Sequence, residues 1–172
     1  MTSSESIEQS FKSFIQEWGQ VATNWGIPKT MGQIHGLLLI SPKPLNADEI
    51  MTKLDLSRGN VHMQLQQLLE WELIYKTNIK EDRKDYFIAE KDMWKLFIRV
   101  INLRKKQELQ PMLHLVENTT FEPNDSEEAK EFEKVIKDIA SCSQRTSKML
   151  DALTMLDNFW ALNNVARNLE KV

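Results

Sequence analysis

The sequence predicts a mainly α fold: a short helix, a turn and a second helix, then a small β-hairpin, with long amphipathic helices on either side. Three observations point there. Glycine and proline number only five each in 172 residues, too few for a turn-rich all-β chain. Apolar residues recur at spacings of three and four over most of the length, which is the period of one helix face. The stretch 73–88 breaks this period with two β-branched and aromatic runs separated by a charged loop, the pattern of a hairpin.

Taken in order, residues 5–25 carry Phe11, Phe14, Ile15, Trp18, Val21, Ala22 and Trp25 on one helical stripe, and Gly26 and Pro28 end it. Residues 29–41 read as a nearly buried helix with Met31, Ile34, Leu37, Leu38 and Ile40, stopped by Pro42 and Pro44. Asn46 with Glu49 three residues on is a capping box, opening a short helix over 47–53 that buries Ile50 and Met51. Leu54-Asp55-Leu56 makes the turn, and Ser57 caps a helix over 58–71. Leu73–Ile79 and Tyr86–Ile88 pair as strands around Lys80–Asp85.

From Asp92 to about Asn118 the pattern is helical again, and Pro111 kinks or divides it. After a break at Phe121–Asp125, a last helix runs to about Asn168. At roughly forty residues it would be about 60 Å long, too long for a domain of this size to cover. That asks for a partner subunit, unless the helix breaks near Ser141–Ser143.

The helix at 58–71 is the most informative element. With Val61 at zero and about 100° per residue, Val61, Leu65, Leu68 and Leu69 share one side. Gly59, Asn60, Met63, Gln66 and Gln67 lie on or near the other, with His62 at its edge. That outer face stays uncharged until Glu70, where an ordinary surface helix would carry lysine and glutamate. Amide side chains read adenine edges, and a methionine contacts a thymine methyl. Neither repels phosphate, and neither incurs the desolvation cost of a charge at a base edge. Gly59 would let the helix N-terminus approach a phosphate, with Arg58 beside it. In the hairpin, Lys80, Arg83 and Lys84 sit at the tip and Lys76 on the first strand, suited to phosphate or minor-groove contact. Glu81, Asp82 and Asp85 dilute that charge. The expected DNA-contacting set is therefore Ser57, Arg58, Gly59, Asn60, His62, Met63, Gln66, Gln67, Lys76, Lys80, Arg83 and Lys84. The competing reading is a winged-helix docking module for protein partners, which would show exposed leucines or aromatics on this face.

The segment Leu56-Ser-Arg-Gly-Asn-Val61, the following Leu-Glu-Trp-Glu-Leu-Ile and the wing Arg83-Lys-Asp-Tyr-Phe resemble the GbsR-type branch of the MarR-like winged-helix transcriptional regulators. The resemblance covers residues 5–95; the C-terminal helices match only in type. It implies a winged helix-turn-helix in a homodimeric repressor whose two reading helices enter successive major grooves of a pseudo-palindrome. The expected layout is an N-terminal dimerisation helix over 1–27, a DNA-binding domain over 28–90 and a C-terminal dimerisation and effector region over 91–172. Some members of that family sense choline or glycine betaine. Trp18, Trp25 and Trp94 flank the reading head and are the candidates to cage such a quaternary ammonium osmolyte by cation–π attraction; aromatics on apolar stripes also serve as ordinary core.

Composition narrows the alternatives. The formal net charge is −3, unlike most free-standing DNA binders, so phosphate contact has to come from cations clustered on one face. The strongest apolar run, Leu37–Ile40, is far short of a membrane span, and the first residues lack a basic start and an apolar signal core, so a soluble cytoplasmic protein is expected. Cys142 is the sole cysteine, excluding an internal disulfide, and His35, His62 and His114 show no metal-ligand spacing. No phosphate loop, nucleophile elbow or catalytic carboxylate pair is present. The expectation is a protein without a cofactor and without enzymatic activity.

Overall fold

The computed structural model describes the backbone of residues 3–80, 82–122 and 125–169 and the side chains of residues 6–80, 82–122 and 125–155. Its elements are α1 (Ser3–Asn24), α2 (Lys29–Ile40), β1 (Leu45–Asn46), α3 (Ala47–Leu54), α4 (Arg58–Glu70), β2 (Ile74–Thr77), β3 (Tyr86–Ala89), α5 (Met93–Arg104), α6 (Gln110–Asn118) and α7 (Glu127–Leu169). Contacts divide the chain into two units, Met1–Leu96 and Phe97–Val172. The mainly α winged-helix architecture expected from the sequence is borne out. α1 packs along α2 within the first unit.

The first unit is built around α2, whose Met31, Ile34 and Leu38 are fully buried beside Ile50 of α3, Val61, Leu65 and Leu68 of α4, and Ile74 of β2. α1 approaches α2 through glycine: a Cβ on Gly32 would lie 2.5 Å from the Cβ of Ala22. At the other end of α2, the Lys91 ammonium donates to the carbonyls of Leu38 and Ser41, both at 2.9 Å, and to that of Leu39. It satisfies acceptors that a helix C-terminus leaves free.

The expected capping box is complete. The Glu49 amide donates to Asn46 Oδ1 at 3.0 Å, and the Asn46 amide donates to the Glu49 carboxylate at 2.8 Å. Asp55 makes the turn into α4 in the left-handed region, φ 52°, where a short polar side chain is tolerated. The sequence reading missed one strand. β1 pairs antiparallel with β3, giving a three-stranded sheet in the order β1-β3-β2, with Leu45 opposite Phe87 and Lys76 also opposite Phe87. Two residues after a proline, the second of them the cap of the next helix, are too few to show a period of two.

In the second unit, α6 and α7 pack together and Phe121 meets Phe132 edge-on at 5.3 Å. The helix expected over 92–118 is interrupted just before Pro111. Residues Lys105–Leu109 form a π-helical turn, a device that absorbs a local break in the regular hydrogen-bond ladder. α7 is 43 residues long and passes Ser141–Ser143 unbroken. The apolar residues Leu156, Trp160, Leu162 and Val165 of α7 lie outside the residues whose side chains are described. No helix among the described residues is long and apolar enough to cross a membrane.

Candidate nucleic-acid interface

α4 is held by its buried face and presents the rest. Val61, Leu65 and Leu68 are in the core, and Ser57 caps the N-terminus by accepting from the Asn60 amide at 3.4 Å. Arg58, Gly59, His62, Met63, Gln66 and Glu70 face solvent on α4; Gly59, His62, Met63 and Gln66 form an arc between the two charged ends, centred roughly 150° from Val61 at about 100° per residue. No atom lies within 4 Å of where a Gly59 Cβ would stand. Met63 is 55% exposed. Arg58 and Glu70 bring charge to the two ends of the arc, and between them it holds no carboxylate, lysine or arginine.

This arc is rotated from the one expected. His62, placed at the margin by the sequence, is exposed and borders the arc on the side of Arg58. Asn60 and Gln67, placed on the reading face, are half-buried on its flank. Gln64, which the sequence reading passed over, is buried and donates from Nε2 to Asn60 Oδ1 at 3.2 Å, with its Oε1 lacking a hydrogen-bond partner in the described structure. The signal was available: four residues separate Asn60 from Gln64, so the amides face each other on adjacent turns. The polar character of Gln64 concealed its position next to the apolar stripe.

Between the N-terminal half of α4 and the hairpin lies an open groove of about 540 Å³. Arg58, Gly59, His62 and Gln66 line it from α4, Lys76 from β2, Lys84 and Asp85 from the loop, and Asp48 from α3. The structure thus brings the predicted reading helix and part of the predicted wing to one concave surface. Three of the four basic groups there carry a carboxylate partner. Lys76 pairs with Asp85 at 2.9 Å, while Arg58 and Lys84 share Asp48 at 3.4 and 3.0 Å. The fourth is His62. Asp48 is the neighbour that sequence spacing does not reveal, since ten and thirty-six positions separate it from its partners. The Lys84 ammonium, through its hydrogen bond and charge, holds the Asp48 carboxyl below the usual carboxylate range, with a smaller contribution from Arg58. The same hydrogen bond and charge hold Lys84 above the usual lysine value.

Beyond the groove, Lys80 and Arg83 are exposed on the loop and make no ion pair with a described residue. Asp82 shapes that loop by accepting from the Lys84 amide at 3.0 Å and from the Tyr86 hydroxyl at 2.8 Å. Of the tryptophans proposed as a ligand cage, Trp18 is half-buried, stacked on Phe14 at 5.6 Å, and donates to His35 Nδ1 at 3.0 Å. Trp25 follows the end of α1 and is 47% exposed; Trp94 opens α5 and is 43% exposed.

Over 96 residues the chain is 25% identical to the putative HTH-type transcriptional regulator YvaV of Bacillus subtilis (strain 168), covering 56% of this chain and 54% of the relative. Over 111 residues it is 24% identical to the HTH-type transcriptional repressor GbsR of the same organism, covering 64% and 61%. A crystal structure described as that of a transcriptional regulator shares the fold, with a TM-score of 0.63 and 15% identity over 87% of this chain and 99% of that one. No family model matches. The chain spans 54% and 61% of the lengths of these two curated relatives. The resemblance to GbsR-type regulators is borne out in sequence, and the winged-helix architecture in fold.

Proposed function

We propose, on the premise of this likeness to HTH-type regulators, that the chain is a sequence-specific DNA-binding transcriptional regulator. It acts as a homodimeric repressor reading a pseudo-palindrome. The observation that carries the proposal is the α4 surface: an exposed arc of Gly59, His62, Met63 and Gln66, bordered by the cations of α4 and the hairpin. An arc of this chemistry meets base edges in a major groove. Arg58, Lys84, Lys80 and Arg83 meet the phosphates beside it, which fixes register without reading sequence. Asn60 and Gln67 brace the flank of the arc in this proposal, and Gln66 replaces Gln67 as the amide that reads a base. Net charge of −3 is no obstacle, because phosphate senses the local groove and a dimer doubles its cations.

The docking-module alternative calls for an apolar face, and Met63 is the sole large apolar side chain of the arc. Trp18 is engaged by Phe14 and His35, so a ligand cage built on it is not part of the proposal.

The test is binding-site selection from random DNA, followed by two variants. Gln66→Ala should change the preferred base at one position, at a cost of about 1–3 kcal/mol on the selected site. Arg83→Ala should weaken binding to all duplexes alike and flatten the salt dependence by about one phosphate contact. If both variants select and bind DNA as the parent does, the reading face is elsewhere and the proposal fails.

A further inference from the structure

Asp48 joins two elements that DNA would also join. Its Oδ1 accepts from Arg58 in the first turn of α4 at 3.4 Å, and its Oδ2 accepts from Lys84 in the hairpin loop at 3.0 Å. One carboxylate thus presents one oxygen to each of two cations, as a backbone phosphate presents its two anionic oxygens. The arrangement is open to solvent: the side chains of Asp48, Arg58 and Lys84 are 51%, 82% and 55% exposed, and all three line the groove beside the reading arc.

The helix itself does not require this carboxylate. The N-terminus of α3 is already capped by Asn46 and Glu49 through two reciprocal hydrogen bonds. Exposed ion pairs contribute little to folding stability. What Asp48 does change is the charge offered to DNA: the cluster carries one net positive charge where Arg58 and Lys84 alone would carry two. Their mutual hydrogen bond holds Asp48 low and Lys84 high in pKa, so the pair stays ionised at neutral pH.

We propose that Asp48 is an internal counter-anion occupying a phosphate seat formed by Arg58 and Lys84, and that it limits the sequence-independent part of DNA affinity. This rests on the DNA-binding reading above. A backbone phosphate entering the groove takes over both cations, and the displaced carboxylate opposes it by like-charge repulsion. Asp48 thereby restrains binding to bulk DNA and leaves a larger share of the discrimination to the base-facing arc.

The experiment uses the full chain and a short duplex of random sequence, with binding followed by anisotropy over a salt series. Asp48→Asn should bind roughly tenfold more tightly at low salt, with a salt slope steeper by about one ion per subunit. Asp48→Ser, equally neutral and well suited to the first turn of a helix, should do the same. Asp48→Glu, which keeps the charge one methylene further out, should change binding less than either neutral variant. Thermal melting checks that each variant is folded. Unchanged or weaker binding by both folded neutral variants overturns the proposal, because the carboxylate would then position the two cations instead of competing for them. If the parent and all variants ignore duplex DNA at low salt, the DNA-binding reading itself falls. Asp48 is then judged on inorganic polyphosphate by titration calorimetry: tighter binding by the neutral variants sustains the counter-anion role, and equal affinity ends it.

Discussion

His35 shows how one buried residue makes the first unit sensitive to acid. Its Nδ1 accepts from the Trp18 indole at 3.0 Å, so the neutral ring carries its proton on Nε2, and that atom has no hydrogen-bond partner in the described structure. Burial lowers its pKa to about 4, helped by the nearby Lys91 ammonium. The unfolded chain takes up this proton near pH 6.5, the folded chain only near 4. Between those values the unfolded state binds more protons, so stability is full above about pH 6.5 and is lost as pH falls towards 4. At pH 5 the loss from His35 is about 2 kcal/mol. Urea unfolding at pH 7 and 5 measures it. His35→Gln, which can still accept from Trp18, should remove that share of the pH dependence; an unaltered difference between the two pH values would show that another group is responsible. At the same scale, which residues of α4 stay exposed was only partly legible. Helical angle placed Met63, Gly59 and Gln66 correctly. It did not show that Gln64 is buried and Gln67 half-buried, because how far the core climbs around α4 depends on which neighbours reach it.

Elements were the most legible level, since each carries its own start and stop signals. The Asn46–Glu49 box, the Ser57 cap and the prolines after α2 are local chemistry, and the structure realises each one. The approach of α1 to α2 is different. Gly32 reads in sequence as a mild weakness in a helix, yet in the fold it is where the two helices touch, with the Gly19 Cα 3.0 Å and the Ala22 Cβ 2.5 Å from a Cβ placed there. Neither neighbour is a flexible side-chain tip that could move aside. Gly32→Ala should therefore destabilise the protein by about 1–3 kcal/mol through overpacking, seen as a lower denaturant midpoint at unchanged slope. A midpoint equal to that of the parent would mean that α1 can shift outward without loss. β1 and the π-helical turn were invisible for the converse reason. Two residues become a strand because Phe87 and Tyr86 lie opposite them, and Pro111 alone does not dictate how the chain accommodates its missing N–H.

For the whole molecule, the exposed apolar surface is the decisive observation. In the first unit, Ile7, Phe11, Val21 and Trp25 of the N-terminal segment are each about half exposed; in the second, Phe132, Val135, Met149 and Leu153, on one side of α7 at about 100° per residue, are exposed. Scattered single residues of this kind are ordinary, but stripes along helices mark surfaces awaiting a partner. A second copy is the partner that a repressor of a pseudo-palindrome requires, and it would set the spacing of two α4 helices at about 34 Å, one turn of DNA. Sedimentation at micromolar concentration should give twice the mass of the 20.1 kDa chain. A stable monomer there would separate DNA binding from dimerisation and remove the palindromic part of the proposed function.

By itself the sequence determined the helix periods, the caps, the turn at Asp55 and the uncharged character of the α4 face, because these depend on neighbours within about one turn of the chain. Tertiary structure decided which part of that face stays open, and that α1 closes on α2 through glycine. It also decided that Asp48, Arg58 and Lys84 meet. Those outcomes depend on groups brought together across long stretches of chain, where spacing in sequence carries no information about distance and only the packing of the core fixes which charges share a groove.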